Sequence, residues 1–192
     1  MRVIAGQYRS RPLRSLRGLD IRPTTDRLRE TLFDVLCAGN PAALEGTLWV
    51  DLFAGTGAVG IEALSRGAKM VYFVESMSKA AEAIRQNLRS LRIEEGYEVI
   101  PQATLQALRQ LADRGVAANY VFLDPPYRMQ PAYRETLDYL ASSSVLAASA
   151  LVIAEHEKRF DPAESFGPLQ RYRKLEQGDA ALSFYRRIEE KG

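Results

Sequence analysis

The chain has 192 residues, of which 46% are apolar and 26% charged. This composition is typical of a globular protein with a single domain and a substantial core, and no apolar run approaches the roughly 18 residues of a membrane span. No N-terminal stretch resembles a signal peptide, so a cytoplasmic protein is expected. One cysteine and one histidine rule out an internal disulfide and argue against a zinc site or a Ser-His-Asp triad. No metal is therefore expected.

The formal net charge of +2 is unevenly distributed along the chain. Residues 1–30 contain eight arginines against three acidic residues, a net charge of +5, which leaves −3 for the remainder. Arginine suits bidentate contacts with phosphate, so nucleic-acid contact is favoured over a merely solvated, poorly ordered arm. The candidate RNA-binding arginines are Arg2, Arg9, Arg11, Arg14, Arg17 and Arg22.

The first predicted elements form a basic hairpin followed by a helix. Residues 2–5 and 8–13 are predicted as two strands around a turn at Gly6-Gln7, with Pro12 indicating an edge position. A helix then begins at a cap provided by Thr24 or Thr25 and ends at Gly39-Asn40-Pro41. Its apolar positions recur at helical spacing. These are Leu28, Leu32, Val35 and Leu36.

From residue 47 the chain alternates predicted strands and helices, which favours a mainly parallel sheet with helices on both faces. The predicted strands are 48–52, 70–74, 97–100, 119–123 and 150–155. The predicted helices are 57–66, 78–91, 104–114 and 131–141. A hairpin follows, with strands at 172–175 and 181–188 around Gln177-Gly178-Asp179. We predict an α/β fold of the class I (Rossmann-like) methyltransferase type, divided into an N-terminal hairpin extension (1–23) and a catalytic domain (24–192).

A glycine-rich turn joins the first of these strands to its helix. Gly55, Gly57 and Gly60 match the dinucleotide-binding fingerprint, and Glu75 follows at the spacing of an acid that binds ribose hydroxyls. Asp51, however, places a carboxylate at the end of the strand, where a pyrophosphate site normally has an apolar approach. A carboxylate suits a ligand with a cationic amino group, so S-adenosylmethionine is favoured over a dinucleotide.

A second motif, Asp124-Pro125-Pro126-Tyr127, follows the apolar strand at 119–123. Two prolines fix the backbone and cannot donate hydrogen bonds, so the Pro125 carbonyl is predicted to be free. With the Asp124 carboxylate it would provide two acceptors beside an aromatic ring. This combination suits the exocyclic amino group of a nucleobase, oriented towards an electrophilic methyl group. The alternative, a rigid strand-ending turn, is disfavoured by the glycine loop that accompanies the motif.

The chain resembles the RsmD family, whose members transfer a methyl group from S-adenosylmethionine to guanine N2 in small-subunit ribosomal RNA. The glycine loop and Asp124–Tyr127 indicate the wider superfamily of amino-directed methyltransferases. Three further stretches indicate the family itself, and the likeness runs nearly from end to end. They are Met1–Gly6, Arg22–Phe33 (Arg-Pro-Thr-Thr-Asp-Arg-Leu-Arg-Glu-Thr-Leu-Phe) and Gly178–Tyr185.

The resemblance implies a role for each matching residue. The loop at Phe53, Ala54, Gly55 and Gly57 would surround the methionine part of the cofactor, with Asp51 near its amino group. Glu75 would bind the ribose hydroxyls, and Ser76 or Met77 would border the adenine. Asp124, Pro125 and Tyr127 would hold the target guanine. Arg22–Thr25 would close over the cofactor or touch RNA, and the sequence leaves both open.

One position departs from the family pattern. Where similar enzymes carry an aspartate that contacts the adenine amino group, this chain has Gln102-Ala103. The amide oxygen of Gln102 can accept the same hydrogen bond, so cofactor binding is expected to survive. The implied substrate is 16S ribosomal RNA, within a small-subunit particle, and a monomer is expected.

Three other functions compete with this interpretation. An adenine-N6 or DNA amino methyltransferase would use the same acceptor pair, although 192 residues leave little room for a DNA-recognition domain. A non-catalytic RNA-binding assembly factor would not need Asp51, Glu75 and the Asp124–Tyr127 motif intact. A nicotinamide-dependent dehydrogenase is disfavoured by that motif and by the C-terminal hairpin.

Overall fold

The computed structural model describes residues 1–15, 25–126 and 128–188. Within these ranges, eight strands form one sheet in the order β3-β2-β1-β4-β5-β8-β7-β6. The strands are β1 Leu48–Leu52, β2 Met70–Val74, β3 Tyr97–Ile100, β4 Ala118–Leu123, β5 Leu146–Glu157, β6 Ser165–Phe166, β7 Leu169–Gln177 and β8 Ala180–Arg187. The helices are α1 Asp26–Leu36, α2 Ala58–Ser65, α3 Ser78–Leu91, α4 Thr104–Asp113 and α5 Gln130–Ser142.

The strands β3, β2, β1, β4 and β5 are parallel, and β8 and β7 add to β5 in antiparallel orientation. Two apolar clusters cover the two faces of this sheet. One contains residues of α1, α2 and α3, and the other contains residues of α4 and α5. The strand order reverses between β1 and β4, so a ligand crevice is expected outside their carboxyl ends.

The predicted fold class is confirmed, including the C-terminal antiparallel hairpin. The five parallel strands and four helices lie within a few residues of their predicted bounds, except that β5 extends further at both ends, over Leu146–Glu157. The Thr25 hydroxyl accepts a hydrogen bond from the Leu28 N–H at 3.1 Å, which confirms Thr25 as the cap of α1. The other candidate, Thr24, lies outside the described residues.

Gly60 explains how closely α2 approaches the sheet. A Cβ at this position would lie 2.4 Å from Cε1 of Phe73 and 2.8 Å from Cγ1 of Val71, both on β2. Only the absence of a side chain permits this contact. The third glycine of the fingerprint therefore brings the helix against the strand, which fixes the position of the loop that precedes it.

The predicted strands at 2–5 and 8–13 are wrong in detail, because the two arms do not form continuous strands. One isolated bridge joins Arg2 to Pro12, and backbone hydrogen bonds such as that from the Val3 N–H to the Arg11 carbonyl, at 3.0 Å, hold the arms together. The backbone N–H groups between them bond to α2 instead. Those of Ile4 and Ala5 donate to the Glu62 carboxylate at 2.7 and 2.9 Å, and that of Gln7 donates to the Ser65 carbonyl at 2.8 Å. The division into 1–23 and 24–192 stays a prediction.

Glu62 and Arg29 form a buried pair beneath this segment. Nε of Arg29 lies 3.8 Å from Oε2 of Glu62, and neither side chain is exposed. Arg29 also donates to the Arg2 carbonyl and, at 3.0 Å, to the Asp26 carboxylate. One of the eight N-terminal arginines thus belongs to the interior and is withdrawn from any surface that could bind phosphate.

Two kinds of structure are absent from the described residues. They contain no helix that is both long enough and apolar enough to cross a membrane. They also contain no group of three or more His, Cys, Asp or Glu side chains arranged to hold a metal ion.

Candidate active site

Three carboxylates lie at the carboxyl ends of neighbouring strands, at the edge where the strand order reverses: Asp51 within the end of β1, and Glu75 and Asp124 directly after β2 and β4. Leu52 pairs with Val74 of β2 and with Leu123 of β4, so Glu75 and Asp124 leave their strands at the same level beside the loop after β1. Adjacent strands lie about 4.8 Å apart. Asp51 and Glu75 are close enough for the charge of Glu75 to act on Asp51. The sequence-predicted carboxylates are therefore together.

The loop after β1 has a strained backbone. Phe53 adopts a φ of 57°, in the left-handed region that a non-glycine residue rarely occupies. The N–H of Ala54 donates to the Val74 carbonyl at 3.0 Å, and that of Gly57 donates to the Ala54 carbonyl at 2.7 Å. Gly55 and Gly57 also have positive φ. The loop is thus held as a tight turn that directs backbone groups towards the crevice.

Asp51 is buried and stabilises the start of α2. Its Oδ2 accepts a hydrogen bond from the Gly60 N–H at 2.9 Å, within the first turn of the helix. Burial raises the pKa of this carboxyl to about 7, with the Gly60 hydrogen bond opposing the shift and the negative charge of Glu75 adding to it. A cationic group placed beside Asp51 would stabilise the ionised form.

Glu75 is also buried, and it organises the loop. Its Oε2 accepts from the Gly55 N–H at 2.9 Å, and its Oε1 accepts from the Met77 N–H at 2.7 Å. Each carboxylate oxygen has more than one acceptor position, so hydroxyl groups can still bind there. Glu75 thus fixes the glycine turn, a role that the sequence did not predict.

Gln102 follows β3 and has a buried, unpartnered acceptor. Its side-chain Oε1 has no hydrogen-bond partner among the described residues. A buried carbonyl oxygen without a donor is costly, and a ligand N–H would satisfy it. Ser76 and Met77 are exposed at the end of β2, and Ala103 is exposed at the start of α4. This part of the edge can therefore accept a hydrogen bond beside an open surface.

The Asp124–Tyr127 motif is only partly described. Asp124 is half-buried, and its N–H lies 3.4 Å from the Leu52 carbonyl, which ties the motif to β1. The prediction that the Pro125 carbonyl is free is wrong, because the Tyr133 hydroxyl lies 3.3 Å from it. A carbonyl oxygen has two lone pairs, so it can still accept from a second donor. Tyr127 lies outside the described residues.

Tyr133 and Asn87 are site residues that the sequence did not indicate. The hydroxyl of Tyr133, on α5, also donates to the Glu155 carbonyl at 2.8 Å, which connects the ends of β4 and β5. The Asn87 amide donates to the Thr56 carbonyl at 3.0 Å, and its oxygen accepts from the Arg14 N–H at 2.8 Å. The available sequence signal was an asparagine within a predicted helix, because asparagine is a poor helix former.

The described candidate arginines of the N-terminal segment belong to the face of the sheet that α2 and α3 cover. Arg2, Arg9, Arg11 and Arg14 are exposed. The Arg11 guanidinium reaches the Ser90 carbonyl at 3.4 Å, and that of Arg14 reaches Gln86 at 3.3 Å, both on α3. Through Asn87 the same helix holds the glycine loop. The other two candidates, Arg17 and Arg22, lie outside the described residues.

Comparison with known proteins returns a consistent group of relatives. A family model described as "Conserved hypothetical protein 95" matches residues 1–186. The chain is 33% identical over 187 residues to a putative rRNA methyltransferase, YlbH, of Bacillus subtilis, covering 97% of this chain and 99% of that protein. It is 37% identical over 157 residues to the ribosomal RNA small subunit methyltransferase D of Escherichia coli K12, covering 82% and 75%. Its fold is similar to that of a putative methyltransferase, yhhF, from Escherichia coli, with a TM-score of 0.81 and 31% identity over 99% of each chain.

Proposed function

Because the chain belongs to the RsmD family, we propose that it is a ribosomal RNA methyltransferase that uses S-adenosylmethionine and modifies the exocyclic N2 of a guanine in 16S RNA. It acts as a monomer in the cytoplasm, on RNA within a small-subunit particle. The names of its relatives support the reaction and the type of RNA. The choice of guanine over adenine rests on the family resemblance, because the acceptor pair would serve either base.

The observation that carries the proposal is the position of Glu75 and Asp124 at one level of the sheet edge, on either side of β1, which ends one residue after Asp51. Cofactor-binding groups on β1 and β2 thereby face a crevice bordered by the acceptor motif after β4. A methyl donor and an acceptor amine must meet within a few ångströms for in-line transfer. The strand register supports such an arrangement of the two sets of groups.

The residues present fit the cofactor. The unpartnered Oε1 of Gln102 suits an adenine amino group. Glu75, which follows the neighbouring strand β2, suits the ribose hydroxyls. Asp51 suits the amino group of the methionine part, and the loop from Phe53 to Gly57 would surround that part. When bound, S-adenosylmethionine supplies an electrophilic methyl group on a sulfonium.

Asp124 and Pro125 would hold the target amine. An amino group on a heteroaromatic ring is a poor nucleophile, because its lone pair is delocalised into the ring. Two acceptors that hold its N–H bonds favour a pyramidal nitrogen with a localised lone pair. The Tyr133 hydroxyl fixes the direction of the Pro125 carbonyl, and Tyr127 would stack on the base. The base must first leave its helix to enter the site.

The experiment that tests this function is transfer of a labelled methyl group to small-subunit particles that lack endogenous methylation. Naked 16S RNA and DNA serve as parallel substrates. We expect label in the RNA of the particle. Binding of S-adenosylmethionine without transfer to any of the three substrates would contradict the proposal and favour an assembly factor that retains the fold.

The affinity for S-adenosylmethionine is expected to fall as the pH is lowered through about 7. Only the ionised Asp51 carboxylate pairs with the ligand's ammonium group, and the pKa of Asp51 is raised to about 7. Below that pH, binding must first remove a proton, which costs about ten-fold in affinity per pH unit. Calorimetric titration between pH 5.5 and 8 measures the effect. Asp51→Asn is the control, with weaker binding and a flat profile, and a sloping profile in this variant would refute the assignment.

Reversal of Arg9, Arg11 and Arg14 to glutamate is expected to weaken RNA binding and flatten its salt dependence. Each lost phosphate contact lowers the slope of log K against log salt by roughly 0.7 to 0.9. Titration of 16S RNA at several salt concentrations measures this slope. Arg109→Glu, an exposed reversal on α4, which packs on the other face of the sheet, should change it little. An unchanged slope in the triple variant would exclude these arginines from the RNA surface.

A further inference from the structure

A cavity of about 240 Å³ lies between the start of α1, the end of β5 and the turn that joins β7 to β8. Thr25, Glu155, Gln177 and Asp179 are among its lining residues. Its volume is somewhat below the roughly 300–1,000 Å³ of pockets for drug-sized ligands, so it suits something as small as a single base. None of the residues predicted as catalytic or cofactor-binding lines it.

Glu155 links this cavity to the acceptor motif. Leu123 of β4 pairs with Ala154 of β5, so Asp124 and Glu155 follow at the same level on adjacent strands. Side chains alternate between the two faces of a sheet. Phe122 of β4 and Ile153 of β5 belong to the apolar cluster on the α1 side of the sheet. Asp124 and Glu155 lie two residues after them. The two carboxyl groups therefore belong to one face, about one strand spacing apart.

The cavity wall offers hydrogen-bond acceptors. The Glu155 side chain is buried, and Oε1 of Gln177 is buried with no partner among the described residues. Asp179 adds an exposed carboxylate at the turn. An unpartnered buried oxygen on such a wall favours a ligand edge that donates hydrogen bonds.

Guanine has a donor edge of this kind. Its N1–H stands next to its 2-amino group, whereas N1 of adenine is an acceptor. We propose that the target guanine enters this cavity. Glu155 accepts the guanine N1–H, while Asp124 holds the adjacent 2-amino group. Glu155 thereby determines the choice of guanine over adenine. The inference rests on the proposed function, because it assumes that Asp124 holds the reacting amine.

The selectivity follows from an unmet hydrogen bond. A base without a proton on N1 would place its ring nitrogen against the Glu155 carboxylate, leaving two acceptors facing each other in a buried site. Sites built to bind a substrate donor reject analogues that lack it by large factors. Glutamine at position 155 can both accept and donate, so it would tolerate either form of N1.

The test uses small-subunit particles assembled with guanine or 2-aminopurine at the modified position. 2-Aminopurine keeps the reacting amino group but has no proton on N1. For the unaltered protein we expect kcat/KM to favour guanine by at least about 100-fold. Glu155→Gln should narrow this ratio at least about ten-fold, with the affinity for S-adenosylmethionine unchanged. Glu157→Gln, the same change two residues along β5, is the matched control and should keep the original ratio.

Each outcome decides the point. A ratio near one in the unaltered protein, or an unchanged ratio in Glu155→Gln, would overturn the assignment while leaving the proposed function intact. A folded Glu155→Gln protein that transfers to neither base would show a role without base selectivity and would also overturn it. Should that variant not fold, a ratio near one in the unaltered protein would still overturn the assignment. Failure of the unaltered protein to methylate guanine at all would instead refute the proposed function.

Discussion

Replacement of Asp124 by alanine is expected to lower the rate of methyl transfer by about 100- to 1,000-fold and to leave the affinity for S-adenosylmethionine nearly unchanged. Asp124 follows β4, one strand away from the loop after β1, and it does not belong to the groups that suit the cofactor. Its loss removes one of two acceptors that orient the amine. Single-turnover transfer and calorimetric binding of the cofactor measure the two quantities separately.

Asp138→Ala is the matched control for this variant. Asp138 lies on α5, beyond the acceptor motif, and its side chain is more than half exposed in an ion pair with Arg134 at 3.7 Å. Loss of such a pair should affect neither rate nor affinity appreciably. Transfer by Asp124→Ala at the rate of the Asp138→Ala protein would refute the role of Asp124 as an acceptor.

Replacement of Glu62 by alanine is expected to lower the free energy of unfolding by about 3–5 kcal/mol. Glu62 is fully buried and accepts hydrogen bonds from the N–H groups of Ile4 and Ala5 and from Nε of Arg66, the last at 2.8 Å. Its removal leaves these donors unpaired and the buried Arg29 without its anionic neighbour at 3.8 Å. Chemical denaturation followed by circular dichroism measures the loss.

Glu82→Ala provides the comparison for that measurement. Glu82 lies on α3 and forms an exposed ion pair with Arg89 at 2.6 Å, and the loss of such a pair should lower the free energy of unfolding far less than the loss of Glu62. If both substitutions cost the same small amount, the buried network does not anchor the N-terminal segment. A large loss confined to Glu62→Ala would tie the position of the basic arginines to the interior of the fold.

The parallel strands and their helices could be predicted because local patterns determine them. Short apolar runs bounded by turns mark β1, β2 and β4, and helical spacing of apolar residues marks α1. The N-terminal strands were wrong for a physical reason that the pattern does not contain. Backbone groups of residues 4–7 bond to Glu62 and Ser65, about sixty positions further along the chain.

The candidate site shows the same limit. Asp51, Glu75 and Asp124 could be placed from their positions after strands, because the carboxyl ends of parallel strands meet at one edge. Three contacts could not be predicted in this way. Glu75 supports the glycine loop, the Tyr133 hydroxyl lies against Pro125, and Asn87 connects Thr56 with Arg14. Each depends on a side chain that reaches a backbone group on another element, and no local pattern encodes that distance.

The most direct test of the central claim is nucleoside analysis of 16S RNA methylated by this protein in particles that lack the endogenous modification. The acceptor site and the family predict a single product, N2-methylguanosine. N6-methyladenosine would keep the chemistry of Asp124 and Pro125 but contradict the assignment of the base, and with it the role proposed for Glu155.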